Sequence, residues 1–447
     1  MTRAPFIERN PQNFRGTNYV ASIAYGTDKV LGMLPFPGGS DFQVYQNGGF
    51  FDPQHNEDEI RALATYGINN IRLWGSFWAW VLNAPGYLQS LATIARNCLK
   101  YGISITYVLW STTATLREGQ MYEWVWGNRA SLTRRDPQNW SRLHQLIWGY
   151  TAGNVARAAS EGRVPEGEPW LSGDYDEPGN ALFWTPYASW DPFLLQFIDA
   201  YLQDIAGFFG TGPGASVIAS YDLFNEADAG VDPNDPREHR LPFIHATYAR
   251  LLVYHATVGS RLPPCTVGWA FMSGYSKEAT RTLTNMGVAQ SYLSSHSYAL
   301  PPLEFRQQIR DARDFAAARG LPYVCSEFWA RRVPAGSSYP RSMAPYLDAV
   351  SDELVGSQVW GFLAYNLFDI VNGVPQPTDG FITPEKHVFT PLRTQAADTV
   401  VQPPLGGLLE PHPWPRRVRV DLTPPAAADV AAVQRWTKSR GVFGVAE

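Results

Sequence analysis

Two glutamates stand where short buried strands of this chain are predicted to end. Glu226 follows the largely apolar run 217–224, and Glu327 follows the run 322–326. A carboxyl group at the end of a buried strand meets a low dielectric, which raises its pKa and suits it to donate a proton. For Asn225 and Glu226 alone, a structural alternative is that asparagine caps a following helix. A second carboxylate placed in the same way favours chemistry over capping.

The separation of the two glutamates in the sequence leaves room for two complete strand–helix units between their strands. In a barrel of such units, Glu226 would end the fourth strand and Glu327 the seventh, and both would face the mouth of the barrel. Two carboxylates that converge on one cleft are the minimum needed to hydrolyse a glycosidic bond, one as acid and the other as nucleophile or base. The pair therefore predicts this chemistry if the chain forms such a barrel.

Strand-like and helix-like segments alternate along the chain. The helical patterns include 58–66, closed by Gly67, and 88–101, closed by Gly102, because glycine takes the left-handed conformation that ends many helices. This alternation predicts a parallel sheet, and eight strands predict an α/β fold of the (β/α)8 or TIM barrel type. The predicted strands are 16–25, 68–77, 103–110, 217–224, 264–271, 289–300, 322–326 and 357–369.

The chain divides into a barrel and two additions. Residues 1–400 form the predicted catalytic barrel, and 401–447 form a C-terminal extension that packs on it. A long insertion, 111–190, leaves from the end of the third strand and holds seven tryptophans. Because the loops at strand ends build the site of a barrel, we expect the insertion to be a subdomain on the catalytic face. A wall there would narrow the cleft and favour action on short chains or chain ends.

Aromatic residues are abundant, with 16 Trp and 22 Tyr. Sugar rings present flat C–H faces that stack on aromatic side chains, so aromatics at a barrel mouth predict carbohydrate binding. Tryptophans that only pack a core would be scattered along strands and helices. Four fall at predicted strand exits, which favours sugar stacking over packing: Trp74, Trp110, Trp269 and Trp329.

The composition argues against two classes of partner. The chain has 447 residues, a formal net charge of −5 and no basic stripe, which argues against nucleic-acid binding. No apolar stretch approaches the length of a membrane span, and the first ten residues hold no signal-type apolar segment. We expect a cytoplasmic protein or a secreted one whose signal has been removed, and the oligomeric state is left open.

Cysteines and histidines give no sign of a metal centre. Three histidines near the predicted fifth strand share no helical face with a carboxylate ligand: His239, His245 and His255. The cysteine spacings match no disulfide or metal framework, so we predict buried free thiols at Cys98, Cys265 and Cys325. No metal or other cofactor is expected.

Six short motifs occur along the chain in this order: RGTNY, NIRLW, LFNEAD, SHSY, SEFW and GFLAYNLFD. Each motif alone is weak, but six in this order at barrel spacing form a strong signal. Their order resembles the retaining glycoside hydrolases of clan A, and within them glycoside hydrolase family 5, which contains cellulases and mannanases. The resemblance spans roughly residues 14 to 400.

The resemblance implies a role for each glutamate. Glu327 would attack the anomeric carbon as nucleophile, and Glu226 would protonate the leaving oxygen and later activate water. Asn225 would grip the sugar 2-hydroxyl in the transition state. This is a double displacement that retains the anomeric configuration.

The resemblance also implies supporting residues. Arg72 and Tyr298 would hold Glu327 ionised, and His296 would line the site and polarise the acid or bind a hydroxyl. Two positions depart from the family. Trp110 stands at the third strand exit, where the family often has histidine, and Tyr365 stands where the family has a tryptophan under the reacting sugar.

The expected substrate is a β-linked carbohydrate of the mannan or glucan type. The run GWAF and the tryptophan on the third strand favour mannan. Two other classes stay open, both on the same scaffold. A transglycosylase or phosphorylase would use the same two glutamates with a different acceptor, and a non-catalytic sugar-binding barrel would keep the aromatic rim without needing both.

Overall fold

Eight parallel strands form a closed barrel in which each strand pairs with the next and the eighth pairs with the first. This arrangement, in a computed structural model, confirms the predicted (β/α)8 fold. The residues described are 5–21, 33, 51, 53–110, 192–228, 240–298, 301–329, 342–363, 368–371, 374–377 and 427–439. The strands are β1 (Arg15–Tyr19), β2 (Asn70–Trp74), β3 (Ser104–Val108), β4 (Ile218–Asn225), β5 (Cys265–Trp269), β6 (Leu293–Ser297), β7 (Tyr323–Phe328) and β8 (Gly356–Val359).

Helices connect the consecutive strands and bury their apolar faces against the outside of the barrel. In chain order they are α1 (Pro53–Thr65), α2 (Phe77–Tyr101), α3 (Pro192–Gly210), α4 (Gly212–Val217), α5 (Arg240–Thr257), α6 (Gly274–Asn285), α7 (Pro302–Ala317), α8 (Ala344–Asp352) and α9 (Ala427–Lys438). A hairpin of β9 (Phe368–Val371) and β10 (Val374–Pro377) follows β8. Because the barrel strands are parallel, their carboxyl ends, which carry the catalytic candidates, lie at one end of the barrel.

Two predicted boundaries lie farthest from the observed ones. Helix α2 begins at Phe77, well before residue 88, because the Ser76 hydroxyl accepts the Ala79 amide and caps the helix. Pro85 lies inside this helix, and Gly102 ends it in the left-handed conformation with φ 76°. The eighth strand stops at Val359 instead of running to residue 369. An isolated sequence pattern did not distinguish this short strand from the separate hairpin that follows.

The barrel interior below the rim holds a polar layer. Gln358 Nε2 donates to Asn70 Oδ1 at 2.7 Å, and Asn70 Nδ2 donates to Ser104 Oγ at 3.0 Å. The hydroxyls of Thr106 and Ser220 lie 3.0 Å apart, which continues the layer to β4. Buried polar side chains that satisfy one another hold the strands in one register.

The C-terminal helix α9 packs against α8 and reaches the N-terminal end of the barrel. The buried Trp436 donates its indole N–H to Ser357 Oγ at 2.7 Å. The Trp436 carbonyl accepts from Arg15 Nε at 2.9 Å, which joins the helix to the start of β1. Asp429 accepts from the Ala344 amide at 2.9 Å and so binds the start of α8. These contacts lie at the end of the barrel opposite to the glutamates.

Several predictions fall outside the described residues: the 111–190 insertion, Tyr365, His239, and the parts 401–426 and 440–447 of the C-terminal extension. Among the described helices, none is both long and apolar enough to cross a membrane. The prediction of three buried free thiols is confirmed at Cys98, Cys265 and Cys325.

Candidate active site

The carboxyl ends of four strands bring the predicted catalytic residues together. β2 carries Arg72, β4 ends in Asn225 with Glu226 directly behind it, β6 carries His296 with Tyr298 just past its end, and β7 carries Glu327. Because all strands are parallel, their carboxyl ends share one rim. Residues far apart in the sequence therefore meet in one cluster.

His296 lies between the two glutamates. Its Nδ1 is 3.1 Å from Glu226 Oε1, and its Nε2 is 3.4 Å from Glu327 Oε1. One carboxylate oxygen of each glutamate and one ring nitrogen of His296 all lie within 4.8 Å of one another. The two carboxyl groups thus face the same small volume at the barrel mouth.

Glu327 is fixed from two sides. Arg72 Nη1 donates to its Oε1 at 2.6 Å, and the Tyr298 hydroxyl donates to its Oε2 at 2.8 Å. Burial raises the pKa of Glu327, while His296, Arg72 and Tyr298 act in the opposite direction and Glu226 adds to the rise. The four neighbours therefore decide at what pH this buried carboxyl ionises.

The charge of His296 depends on both glutamates. Burial alone would lower its pKa, but the carboxylates of Glu327 and Glu226 outweigh burial and raise the pKa above its ordinary value. A positively charged imidazole between two carboxylates reduces their mutual repulsion. His296 can thus keep Glu226 and Glu327 close together.

Arg72 is the hub of a buried network that the sequence analysis did not find. It donates to Asp222 Oδ2 through Nε at 3.0 Å and Nη2 at 2.7 Å, to Asn18 Oδ1 at 2.8 Å and to Asn225 Oδ1 at 2.6 Å. With its oxygen held by Arg72, the Asn225 amide presents its NH2 group in other directions. The sequence does indicate such a network, because Asp222 is a single acid within an apolar strand and a buried acid needs a partner.

Two residues beside the glutamates have unusual backbone conformations. Glu226 has φ 54° and Trp329, two residues after Glu327, has φ 50°. Non-glycine residues rarely adopt this left-handed region, and such strain is often found at functional sites. The turn after β4 leaves the Glu226 side chain 21% exposed, whereas Glu327 is 4% exposed.

Trp110 and Trp269 lie on the helix side of the barrel wall. Trp110 packs against Phe77, Tyr201 and Phe243 and donates to Thr247 Oγ1 at 3.1 Å. In β5, Gly268 lies against the interior carboxylate of Asp222, so strand alternation turns Trp269 outward. Both rings are fully buried. Their surroundings favour packing over sugar stacking.

Trp74 and Trp360 meet at the rim between β2 and β8. Trp74 shares the interior face with Arg72, donates its indole N–H to Asn18 Oδ1 at 3.1 Å, and is 2% exposed. Trp360 directly follows β8 and is partly exposed. Its ring meets that of Trp74 edge to face, with the ring centroids 5.6 Å apart. Trp360 is not among the predicted site residues, because the predicted eighth strand, 357–369, runs past it.

The exposed aromatic residue at the β5 exit is Phe271. The residue is 66% exposed, and its backbone is fixed by neighbours. Asp228 accepts the amides of Ala270 at 2.6 Å and Phe271 at 3.2 Å, and Ser276 Oγ donates to the Phe271 carbonyl at 2.5 Å. The turn after β4 carries both Glu226 and Asp228, so Asp228 links this turn to the segment after β5.

The positively charged Arg72 already lies beside the clustered side chains. Glu226, His296 and Glu327 include donor atoms close enough to surround a metal ion. However, the Arg72 guanidinium occupies Oε1 of Glu327, and a permanent cation there opposes the binding of another. Within the described residues, this donor set fits acid–base chemistry better than metal binding.

No protein-family model matches the chain, and no curated protein matches it. Solved structures similar to it include a glycoside hydrolase family 5 mannosidase from Rhizomucor miehei, with 14% identity, 97% of this chain and 92% of that chain covered, and a TM-score of 0.49. An endo-β-1,4-mannanase from Thermotoga petrophila has 13% identity, 97% and 78% coverage, and a TM-score of 0.47. A GH5_18 protein from Streptomyces cattleya in complex with GlcNAc has 13% identity, 98% and 82% coverage, and a TM-score of 0.48.

Fold and site together define a (β/α)8 barrel with two carboxylates, a histidine and an arginine at its mouth.

Proposed function

We propose that the chain is a retaining β-glycoside hydrolase that uses Glu327 as nucleophile and Glu226 as acid/base. The observation that carries the proposal is the approach of the two carboxylates, with oxygens within 4.8 Å. Retaining enzymes hold their carboxyl groups about 5 to 5.5 Å apart, and inverting enzymes roughly 6.5 to 9.5 Å, to leave room for water. One oxygen of each carboxylate lies within 4.8 Å of the other, closer than the spacing of an inverting pair, and this supports the retaining mechanism.

The surroundings of the two glutamates support the division of roles. A nucleophile must be ionised and aimed, and Glu327 is buried with one oxygen on Arg72 and the other on Tyr298. An acid/base exchanges protons with the leaving group and with water, and the partly exposed Glu226 is accessible for both. His296 contacts both and links their charges.

The reaction proceeds in two balanced steps. First, Glu327 forms a bond to the anomeric carbon while the glycosidic C–O bond breaks and Glu226 gives its proton to the leaving oxygen. Then Glu226 takes a proton from water, whose oxygen attacks the same carbon and releases Glu327. Asn225, with its oxygen fixed by Arg72, is placed to donate to a sugar hydroxyl in the transition state.

The rim supplies candidates for sugar contact. Trp360 directly follows β8 and is partly exposed, and Phe271 is an exposed residue at the β5 exit. The buried indole N–H of Trp329, like that of Trp269, has no acceptor among the described residues. Because Trp329 follows Glu327 at the β7 exit, a sugar hydroxyl bound there would supply one. Trp360 and Phe271 replace Trp110 and Trp269 as expected sugar contacts. Trp329 stays an expected contact, and Trp74 supports the site from within.

We infer a β-linked substrate of the mannan or glucan type, and short chains or chain ends remain our prediction from the insertion. A panel of aryl β-glycosides and of β-mannan and β-glucan oligosaccharides tests sugar and linkage. Hydrolysis should release the β-anomer first, as seen by NMR. Initial release of the α-anomer would contradict retention, and products that carry an added sugar or phosphate would favour a transglycosylase or phosphorylase.

Two variants test the roles of the glutamates. Glu327→Ala should abolish turnover, and added azide should restore part of it as the α-glycosyl azide, because azide replaces the lost nucleophile. Glu226→Ala should slow substrates with poor leaving groups far more than activated aryl glycosides, since only the former need protonation. Equal losses on both substrate types would contradict the assignment of Glu226.

A further inference from the structure

Arg72 lies between two carboxylates, and only one of them belongs to the proposed reaction. Two of its nitrogens bind Asp222 Oδ2, at 3.0 and 2.7 Å, and a third binds Glu327 Oε1 at 2.6 Å. The side chains of Arg72 and Asp222 are fully buried, and that of Glu327 is 4% exposed. In this dry environment the single positive charge is shared by two negative ones.

Asp222 is itself held by the backbone of β5. Its Oδ1 accepts the Gly268 amide at 2.9 Å. A Cβ at position 268 would lie 2.8 Å from Asp222 Oδ2 and 3.1 Å from Arg72 Nη2, so only glycine lets the strand come this close. Asp222 is therefore anchored to the barrel wall and serves as a rigid support for Arg72.

We propose, on the basis of the function proposed above, that Asp222 is a positioning residue that orients Arg72 and shares its positive charge, and so keeps the Glu327 carboxylate nucleophilic. Without Asp222, Arg72 would give its full charge to Glu327. A carboxylate that is stabilised more strongly is a weaker nucleophile. The fork of Arg72 would also lose the partner that fixes its plane.

The charged and titratable groups that face Glu327 come from three strands. They are Arg72 from β2, Glu226 from β4, and His296 with Tyr298 from β6, while Asp222 acts through Arg72. Burial raises the pKa of Glu327, and Arg72 opposes this rise. Without the negative charge of Asp222, Arg72 stabilises the Glu327 carboxylate more strongly, so the pKa of Glu327 should fall.

The test measures the pH dependence of kcat/KM in Asp222→Asn. The acidic limb, which reports the ionisation of Glu327 in the free enzyme, should move to lower pH by about half a unit to one unit. The maximal rate should fall about tenfold or more, because a Glu327 carboxylate that is stabilised more strongly by Arg72 is a weaker nucleophile. Asp204→Asn, which changes a partly buried acid on α3 bound to Trp80, is the matched control and should leave the limb in place.

A second variant covers the case in which Asp222→Asn does not fold. Gly268→Ala keeps every charge but pushes the Asp222 carboxylate away from Arg72, so its acidic limb should also move to lower pH. A limb that stays in place or moves upward in an active, folded variant overturns the role of Asp222 and leaves the glycosidase assignment intact. Failure of the wild type to cleave any β-glycoside overturns both.

Discussion

The Tyr298 hydroxyl donates to Oε2 of Glu327 at 2.8 Å, although Tyr298 follows β6 and Glu327 lies in β7. This hydrogen bond stabilises the ionised form of Glu327 and so lowers its pKa against the larger effect of burial. In Tyr298→Phe the pKa of Glu327 should rise further, and the acidic limb of kcat/KM should move to higher pH. This is the opposite direction to that expected for Asp222→Asn.

Tyr323→Phe is the matched control for Tyr298→Phe. Tyr323 is a buried tyrosine whose hydroxyl meets Ser295 Oγ at 2.9 Å and not a catalytic candidate. Its acidic limb should coincide with that of the wild type. If both variants give the same profile, the contact between Tyr298 and Glu327 does not govern the ionisation of the nucleophile.

Trp360→Ala should weaken sugar binding at the β8 exit. A ring that stacks on a sugar contributes a small, direct attraction, and its loss should lower kcat/KM by about tenfold. Trp360→Phe keeps a ring and should retain most of the activity. Steady-state kinetics on one oligosaccharide compares the variants, and a Trp360→Ala enzyme as active as the wild type would remove Trp360 from the substrate-binding surface.

The protein should lose stability in acid, because the fold holds His255 neutral. Burial lowers its pKa from 6.5 to about 4, and its ring nitrogens meet the Tyr221 and Ser260 hydroxyls at 3.0 and 2.8 Å. The unfolded chain takes up this proton from about pH 6.5 downward, whereas the folded protein resists it until about pH 4. The contribution of neutral His255 is therefore complete above about pH 6.5 and is lost progressively between these values.

Urea unfolding at several pH values measures this effect. The free energy of unfolding should fall more steeply with decreasing pH, between about 6.5 and 4, in the wild type than in His255→Gln, which has no group that titrates there. Parallel curves for the two proteins would mean that His255 is not held neutral by the fold.

Trp436→Ala should destabilise the protein by about 3 to 5 kcal/mol, because a fully buried indole and its bond to Ser357 are lost. Arg435→Ala, one residue earlier on α9, removes an exposed ion pair with Asp348 and should cost no more than about 1 kcal/mol. Chemical denaturation compares the two. The kcat of both variants should stay near the wild-type value, because α9 contacts the end of the barrel away from the glutamates. Equal losses of stability in the two variants would contradict the packing of Trp436.

The sequence alone determined the order of strands and helices and the two glutamates that end the fourth and seventh strands. These are local properties, because apolar runs, glycine helix ends and a polar residue at a strand exit are encoded within a few neighbouring residues. The prediction of sugar stacking from the strand exits is not supported for Trp110 and Trp269, whose rings are buried. A strand exit identifies the rim, but it does not tell which face of the strand a side chain occupies.

Only the tertiary structure decided which side chains share the site. The outward turn of Trp269 depends on the register of β5 against Asp222, and the end of β8 at Val359 reveals Trp360 at the rim. The pairing of Arg72 with Asp222 joins residues 150 positions apart. Barrel closure brings such residues together, and no local pattern encodes the position of His296 between Glu226 and Glu327, because it results from the packing of three different strands around one mouth.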